Sequence, residues 1–502
     1  MSEDEVPESA RGDPLRESEA LGSSTERNGA TLSIQHILWR GSGCDLPSGV
    51  NDLDAAAEFE GLDLGDARRD ARARRVIEAL ERDPAASFPS TMQSVAEREA
   101  FYRLINNDEV TLPALIAPHS AQTLARMLAC AERPIVAVDK TKFMFTGEAE
   151  RDGLRRVSHN KQSFDALVAL ATGGSRQTHG VLAAQDLEDA GKVRPDHWDG
   201  FIDDACREAE AAGLQPIVVM DREADIYELF HLLLQRNRDF VIRVSWDRVA
   251  REFGQEVDEK MRAIVARAGV MLTRTVQLSR RVDGDRTTGN KRNHPPRPAR
   301  AAKLVVRAAC MSIARPPIRK LGALPARLTL QVVLVSEQNP PANMQPIDWL
   351  LITSLPINDT TSVEAIVDAY RRRWPIEEFF KALKSGCSYE SRQLESRHAL
   401  LNALGLMIPI AWRLLELRTL AEDDPSAPAT TILEPDEVHV LTKLSKDVKL
   451  SNVPTVNEAM LAIAGLGGHI RQNGRPGWQV LHRGFDKLRT RVDGYRLAKA
   501  EM

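Results

Sequence analysis

Two short apolar runs, each closed by an aspartate, constrain the fold of this 502-residue chain more than any other feature. Pro134-Ile-Val-Ala-Val138 runs into Asp139, and Gln215-Pro-Ile-Val-Val-Met220 runs into Asp221. An unbroken apolar run too short for a helix is what a strand buried on both faces looks like. Such strands need cover on both sides, and the neighbouring text supplies it. Phe164–Ala171, Gly180–Gln185 and Phe240–Val244 read as further strands, and Trp198–Gly213 and Asp225–Asn237 as helices. Strands and helices in alternation predict an α/β fold, a mixed sheet flanked by helices. In open α/β sheets ligands gather at the carboxyl ends of strands. One aspartate after a strand is ordinarily a turn or a cap. Two, on two buried strands, point to a site.

A third acid stands in Tyr370-Arg-Arg-Arg-Trp-Pro-Ile-Glu-Glu-Phe-Phe-Lys-Ala-Leu-Lys384. At helical spacing Tyr370, Arg373, Glu377, Lys381 and Lys384 share one stripe, while Ile376, Phe379, Phe380 and Leu383 face inward. A solvated helix tolerates such mixed charge, each pair contributing about 0.2–0.5 kcal/mol, so residue types alone leave both readings open. Pro375 cannot sit in a helix interior without losing a hydrogen bond. One helix is therefore expected to end near Arg373 and the next to begin with Pro375 in its first turn. Thr361-Ser-Val-Glu364 has the form of a capping box for the helix leading to Tyr370.

The formal charge of −4 hides a strong asymmetry. Residues 1–66 carry 15 acidic and 4 basic side chains, whereas residues 269–320 carry 13 basic and 2 acidic ones. The first 58 residues, rich in Glu, Ser, Gly and Pro, are expected to form a disordered acidic tail. From Asp66, a plausible helix cap, Arg68, Arg69, Arg72 and Arg75 project from one side of a helix with Ala71, Val76 and Leu80 free to pack. That basic face suits phosphates, and equally suits plain solvation. Further helices are expected at Ala96–Ile105 and Ala121–Cys130. Val270–Leu278, Ala302–Ala308 and Leu328–Val335 read as strands of a β-rich insertion over 269–347, whose loops Gly289–Arg300 and Arg315–Leu321 carry the positive patch. Trp349–Ser354 is one more strand. Leu400–Leu420 reads as an amphipathic helix, and residues 432–502 as helical with a turn at Gly465–Gly468. The cysteines Cys44, Cys130, Cys206, Cys310 and Cys387 are scattered and odd in number, which argues for a reducing compartment rather than a disulfide framework. The longest apolar run, Leu400–Trp412, is too short to span a bilayer. These features predict a cytoplasmic protein with no membrane association.

Two aspartates and a glutamate brought together suit hard divalent cations such as magnesium, held by carboxylates plus substrate phosphates. A pair of such ions activates a nucleophile and stabilises the leaving oxygen of a phosphoryl displacement. No His/Cys cluster has zinc-ligand spacing, and no glycine-rich loop with Lys-Ser/Thr supports nucleotide hydrolysis.

At this point the residues resemble a known family. Tyr370, Arg373, Glu377 and Lys384 match the Tyr-Arg-Glu-Lys signature of bacterial insertion-sequence transposases of the DDE type, most like the cut-and-paste transposases of composite antibiotic-resistance transposons. Asp139-Lys-Thr141 resembles that group's first aspartate motif, and Asp221-Arg-Glu-Ala-Asp225 its second. Leu62-Asp-Leu-Gly-Asp-Ala-Arg-Arg and Gly465–Gly468 extend the likeness over roughly residues 60–502. Lys140 stands where Thr is expected, Pro375 where a basic residue is tolerated, and the acidic extension is additional. The resemblance implies a ribonuclease-H-like catalytic domain over 131–420, interrupted by the basic insertion. A helical DNA-binding domain precedes it at 59–130, and a helical dimerisation domain follows at 432–502. It implies metal-ligand and catalytic roles for Asp139, Asp221 and Glu377, with two Mg2+ ions per site and Mn2+ tolerated. Tyr370, Arg373, Lys381 and Lys384 would grip transposon-end phosphates. Arg243, 22 residues past Asp221, would lie beside the cleaved end. Trp349, 21 residues before Tyr370, would stack on a flipped base. Its aromatic face would offset part of the unstacking cost. The implied partners are transposon-end DNA, target DNA and a second copy of the chain in a bacterial cytoplasm, at the nucleoid when bound. Rival readings are a catalytically inactive DNA-binding inhibitor or domesticated relative, and a metal-dependent nuclease without strand transfer. A paired-carboxylate glycosidase leaves the basic residues unexplained.

Overall fold

A computed structural model describes residues 57–501, apart from positions 83, 93, 174–176, 188–192, 279–296, 318–322, 446–447 and 471–475. All but the last two residues of the acidic tail and most of both basic loops therefore lie outside the described residues.

Strands β1 (Ile135–Thr146), β2 (Arg155–Ser158), β3 (Lys161–Thr172), β4 (Thr178–Leu187), β5 (Ile217–Met220) and β6 (Asp239–Arg243) build one half of a sheet. The order β4-β3-β1-β5-β6 is antiparallel across β4, β3 and β1, then parallel from β1 to β5 and β6. The short β2 also pairs with β3. Strands β7 (Val249–Glu252), β8 (Glu259–Lys260), β9 (Val270–Leu278), β10 (Arg300–Ala314), β11 (Arg327–Glu337) and β12 (Asp348–Thr353) continue the same sheet. There β12 joins β6 antiparallel, and β11 and β10 follow. The β-rich insertion is thus an extension of the central sheet.

Both faces are covered, which is why the central strands read as unbroken apolar runs. Ala137, Ala166, Val168 and Leu170 face one core, built by α1 (Ala67–Arg82), α2 (Phe88–Thr91), α3 (Val95–Ile105), α4 (Leu112–Ala129) and a long helix described below. Val136, Val138, Leu167 and Ala169 face the other, under α5 (Pro195–Ala211) and α6 (Tyr227–Gln235). Helix α7 (Met261–Arg267) packs by β10 and β11, and α8 (Thr360–Arg371) covers Trp349 and Leu351 of β12. After α8 come α9 (Pro375–Lys381), the long helix α10 (Arg397–Asp423), α11 (Pro435–Leu444), α12 (Val456–Leu466) and α13 (Trp478–Ala500).

Several local expectations need correction. Strand β1 does not stop at Asp139. It runs seven residues further on β3 alone, because β5 pairs with it only as far as Ala137. Lys140–Thr146 alternates buried and exposed positions, the mark of a strand covered on one face. Helix α8 is capped by Asp359, whose carboxylate accepts from the Ser362 amide at 2.8 Å, and not by Thr361 and Glu364. In α1 it is Ala73, Val76, Ile77 and Leu80 that are buried, while Ala71 is exposed. Cys130 is disulfide-bonded, a cross-link the scattered spacing does not signal, while Cys206, Cys310 and Cys387 are free thiols.

Among the described residues, Arg397–Ala421 is the one helix long and apolar enough to cross a membrane by length and composition, and 76% of its most apolar stretch is buried in the protein. Its apolarity serves the core. Asn402 is satisfied there, donating from Nδ2 to the carbonyls of Ile105 at 2.9 Å and Val110 at 2.8 Å.

Glu58, the last residue of the expected acidic tail, is only 4% exposed and is tied into the fold, which corrects that boundary. His119 Nε2 accepts the Val181 amide at 2.9 Å, so Nδ1 carries the proton and donates to Glu58 at 2.5 Å. Arg126 donates to the same carboxylate at 2.8 and 3.1 Å. Burial raises the Glu58 pKa, but His119 and Arg126 outweigh it and hold the group down at about 2, against 4.5 for a free glutamate. A depressed carboxylate contributes stability that is present above its unfolded pKa and lost as pH falls toward the folded one. Glu58→Gln is therefore expected to flatten the urea-unfolding profile between pH 4.5 and pH 2, a loss on the order of 3 kcal/mol across that window in the parent. An unchanged slope in the variant would remove Glu58 from that role.

In the C-terminal helices, a Cβ on Gly484 would stand 1.8 Å from the Ile463 carbonyl oxygen, and one on Gly467 1.8 Å from that of Val480. Helices α12 and α13 cross backbone to backbone at these two glycines. Gly484→Ala is expected to cost about 1–3 kcal/mol by overpacking, read as a lower thermal midpoint. Gly494→Ala, which meets nothing within 4 Å at an exposed position of the same helix, is the control and should gain up to about 1 kcal/mol from helix propensity.

Candidate active site

The site lies where β1 and β5 part. Ala137 pairs with Val219 in parallel register, so Asp139 and Asp221, two residues further along each chain, sit side by side as β5 ends. Glu377 reaches them from the first turn of α9. The Arg371–Pro375 break puts Tyr370 on the last turn of α8, Arg373 in the connecting turn and Glu377 beyond it.

Arg373 occupies the centre. Its Nη1 is 3.1 Å from Asp139 Oδ2, and its Nη2 is 4.0 Å from Asp221 Oδ2 and in direct contact with Glu377 Oε1. Three acids from three distant parts of the chain thus converge on one guanidinium. Their side chains remain 20%, 15% and 11% exposed, so the cluster opens to solvent. The outer oxygens are also held. The Tyr370 hydroxyl donates to Asp221 Oδ1 at 3.2 Å, and the Lys140 amide donates to Asp139 Oδ1 at 2.9 Å. Burial, reinforced by the Asp221 charge, pushes Asp139 up to about 6 despite the pull of Arg373. Burial acts on Asp221 too, but Arg373, Arg243 and Arg222 together outweigh it and hold that carboxyl below the usual range. Two neighbouring carboxyls pushed apart in pKa are a frequent mark of a functional site.

The other residues divide. Arg373 is 2% exposed and committed to the acids, so this geometry does not give it the phosphate-gripping position the resemblance implies. Trp349 is 0% exposed, edge-on to Tyr370 at 5.2 Å with Arg243 5.9 Å from its ring. It is a core side chain here, with neither ring face open to a base. Arg243 is likewise buried, its Nη2 donating to the Asp348 carbonyl at 3.3 Å, and it acts on the site through its charge on Asp221. Lys381 leaves the stripe for Glu378, 2.7 Å away, with its ammonium 5.3 Å from the Trp374 ring centre. A π-helical turn over Ala382–Gly386 re-aims Lys384, whose Nζ donates to the Lys142 carbonyl of β1 at 2.8 Å. On α1, Arg68 is exposed and Arg72 partly so, while Arg69 donates to the Leu64 carbonyl at 2.9 Å.

Three further contacts support the site. Asp225, four residues past Asp221, accepts the amides of Ser245 at 2.7 Å and Trp246 at 2.9 Å and ion-pairs with Arg248, tying the turn after β5 to the turn after β6. Lys140 pairs with Glu223 at 3.0 Å across the mouth of the site. Beside Glu377, Glu378 holds α9 to α10 and α13 through Arg418 at 3.0 Å and the Trp478 indole at 3.1 Å. The motif Asp221-Arg-Glu-Ala-Asp225 already carried the first signal. The other two are contacts between segments far apart in the chain, which no local pattern encodes.

The donor set, all carboxylate oxygen, suits magnesium. The arrangement differs from a closed metal site. Among the described residues no group of three or more His, Cys, Asp or Glu is placed to hold a metal ion, and the inward oxygens of the three acids meet Arg373.

Comparison with known families now gives the class. Residues 54–110 match the family described as transposase DNA-binding, and residues 132–412 match the transposase DDE domain. The second match covers more than half of the chain, so the chain belongs to the DDE transposase family. The protein is a DNA transposase, an enzyme acting on DNA, of a family that depends on divalent metal. A piggyBac transposase synaptic complex with hairpin DNA, solved by cryo-EM, aligns at 11% identity and a TM-score of 0.32 over 96% of this chain and 83% of that one. So slight a likeness adds nothing to the family match.

Proposed function

We propose that the protein is a cut-and-paste transposase of the Tyr-Arg-Glu-Lys type, like those of composite resistance transposons. Asp139, Asp221 and Glu377 would carry the chemistry. The observation behind this reading is the convergence of three acids, 82 to 238 positions apart in the chain, within 4.0 Å of one cationic group at the carboxyl end of β5. The sheet order β4-β3-β1-β5-β6, with its change from antiparallel to parallel at β1, supports a ribonuclease-H-like catalytic domain over 131–420.

When bound, two magnesium ions, or manganese in their place, supply activation of the attacking oxygen and stabilisation of the leaving one. The chain's own part is positional. Asp139, Asp221 and Glu377 present the oxygens that would hold the ions. Tyr370 and the Lys140 amide fix two of those carboxyls by their outer oxygens, as supports behind metal ligands do. Lys384, anchored on β1, and the exposed Arg68 and partly exposed Arg72 offer charge to DNA phosphates. The same site would nick each transposon end, form a hairpin through the freed 3′-hydroxyl, reopen it and join the end to target DNA. Pairing two ends calls for a homodimer, for which the helices of 432–502 are the candidate surface. The action belongs in the bacterial cytoplasm at the nucleoid, with the DNA-binding segment at 59–130.

The test uses labelled duplexes carrying the DNA from either side of the gene, searched for inverted repeats, incubated with Mg2+ or with chelator and run on denaturing gels. Metal-dependent nicks, hairpins and plasmid-joined products are expected. Nicks without joining would reduce the protein to a nuclease, and binding without nicks to an inactive relative.

A further inference from the structure

The mechanism needs metal where the fold has put an arginine. All three inward carboxylate oxygens, Asp139 Oδ2, Asp221 Oδ2 and Glu377 Oε1, meet the two Nη atoms of Arg373. The remaining oxygens of the two aspartates accept from Tyr370 and from the Lys140 amide, so these carboxyls are already turned toward the centre. Arg373 itself is buried, contacts the Tyr370 ring at 5.9 Å, and sits in the turn between α8 and α9, where a side chain changes direction without disturbing a helix. Three clustered carboxylates with no cation would repel one another and keep Glu377 away from the aspartates. A guanidinium is planar, carries donors on several edges and is charged at every working pH, which lets it hold three acids together.

We infer that Arg373 is a built-in counterion of the acid cluster, a positioning residue that holds the three carboxylates in register and that divalent ions must displace to bind. The inference rests on the metal-binding reading above. Metal and guanidinium compete for the same three oxygens, and like charge forbids both at full occupancy. Apparent metal affinity is then the intrinsic affinity reduced by the small fraction of molecules with Arg373 withdrawn. Displaced from the acids, the side chain becomes a free cation at the mouth of the site, facing the phosphates of a bound strand. The device links loading of the ions to the appearance of a phosphate-binding charge.

The test measures Mn2+ binding to the full-length, chelator-treated protein by the electron paramagnetic resonance signal of free Mn2+, without DNA, for the parent, Arg373→Gln and Arg373→Lys. Circular dichroism and thermal melting check folding. Arg373→Gln is expected to bind Mn2+ about tenfold more tightly or better, the gain set by the withdrawn fraction in the parent. It should melt lower than the parent in chelator and recover with Mn2+. Arg373→Lys reaches one acid at a time and should bind with intermediate affinity. If the neutral variant fails to fold, the lysine variant decides: tighter binding than the parent supports the inference, and equal binding overturns it. Equal Mn2+ affinity in all three proteins sinks the counterion role and leaves the metal site standing. No Mn2+ binding in any folded variant sinks the metal reading and the counterion with it.

Discussion

Glu377→Gln is expected to lower transposon-end cleavage by at least about 10³-fold while leaving DNA affinity within about twofold, the pattern of a residue used in the reaction and not in binding. Glutamine keeps the size and one carbonyl oxygen, so it still accepts from Arg373 and α9 keeps its place. What is lost is one of the three charges that meet at the mouth of β1 and β5. Gel-shift titration and single-turnover cleavage on the same preparation separate the two effects. Loss of binding in parallel with cleavage would make Glu377 a structural partner of Arg373 and nothing more. Glu378→Gln is the informative neighbour. Its carboxylate faces Arg418, Lys381 and the Trp478 indole, away from the aspartates. Substitution there should loosen the seat of α9 and lower the thermal midpoint before it touches the chemistry.

The second large effect is on stability. Trp349→Ala is expected to cost about 3–5 kcal/mol, the usual range for emptying a fully buried aromatic site, seen as a lower urea midpoint. The side chain is completely buried on β12, packed with Val335, Leu351, Ile366 and Tyr370 and flanked by Arg243. Trp349→Phe should lose less by keeping the edge contact with Tyr370. Were Trp349 a platform for a flipped base, the alanine variant would melt like the parent and fail only when a hairpin forms. A normal midpoint with that selective defect would contradict the core assignment.

Much of this was legible in the chain because it is local. Strands buried on both faces announce themselves as apolar runs, and the strand expected over Val270–Leu278 spans those same residues in the structure. Pro375 fixed the helix break to within a residue or two, since the missing amide hydrogen admits few alternatives. Asp139, Asp221 and Glu377 stand out by their places on strands and stripe, and the fold brings all three to Arg373. What a local pattern could not carry was which way the cations turn. Arg373 and Lys381 belong to one stripe on an ideal helix, yet one is drawn into the acids and the other to Glu378. Lys384 follows a π-turn that shifts its bearing, and no residue type in Ala382–Gly386 signals that turn. Trp349 shows the same limit from the other side. Its position resembles a functional tryptophan, but burial is set by α8 folding back over β12, a tertiary fact. The Asp359 cap displaced the Thr361–Glu364 box because the helix starts at Thr360, ahead of that box.

The central claim is that Asp139, Asp221 and Glu377 share one divalent-ion site. The most direct measurement replaces Mg2+ by Fe2+ in the DNA-bound protein and adds ascorbate and peroxide, so that radicals cut the backbone only near the bound iron. Scission clustered at three separate segments, around 139, 221 and 377, all suppressed by excess Mg2+, is the predicted result. Cuts at one segment alone, or scattered cuts that Mg2+ does not suppress, would contradict the account.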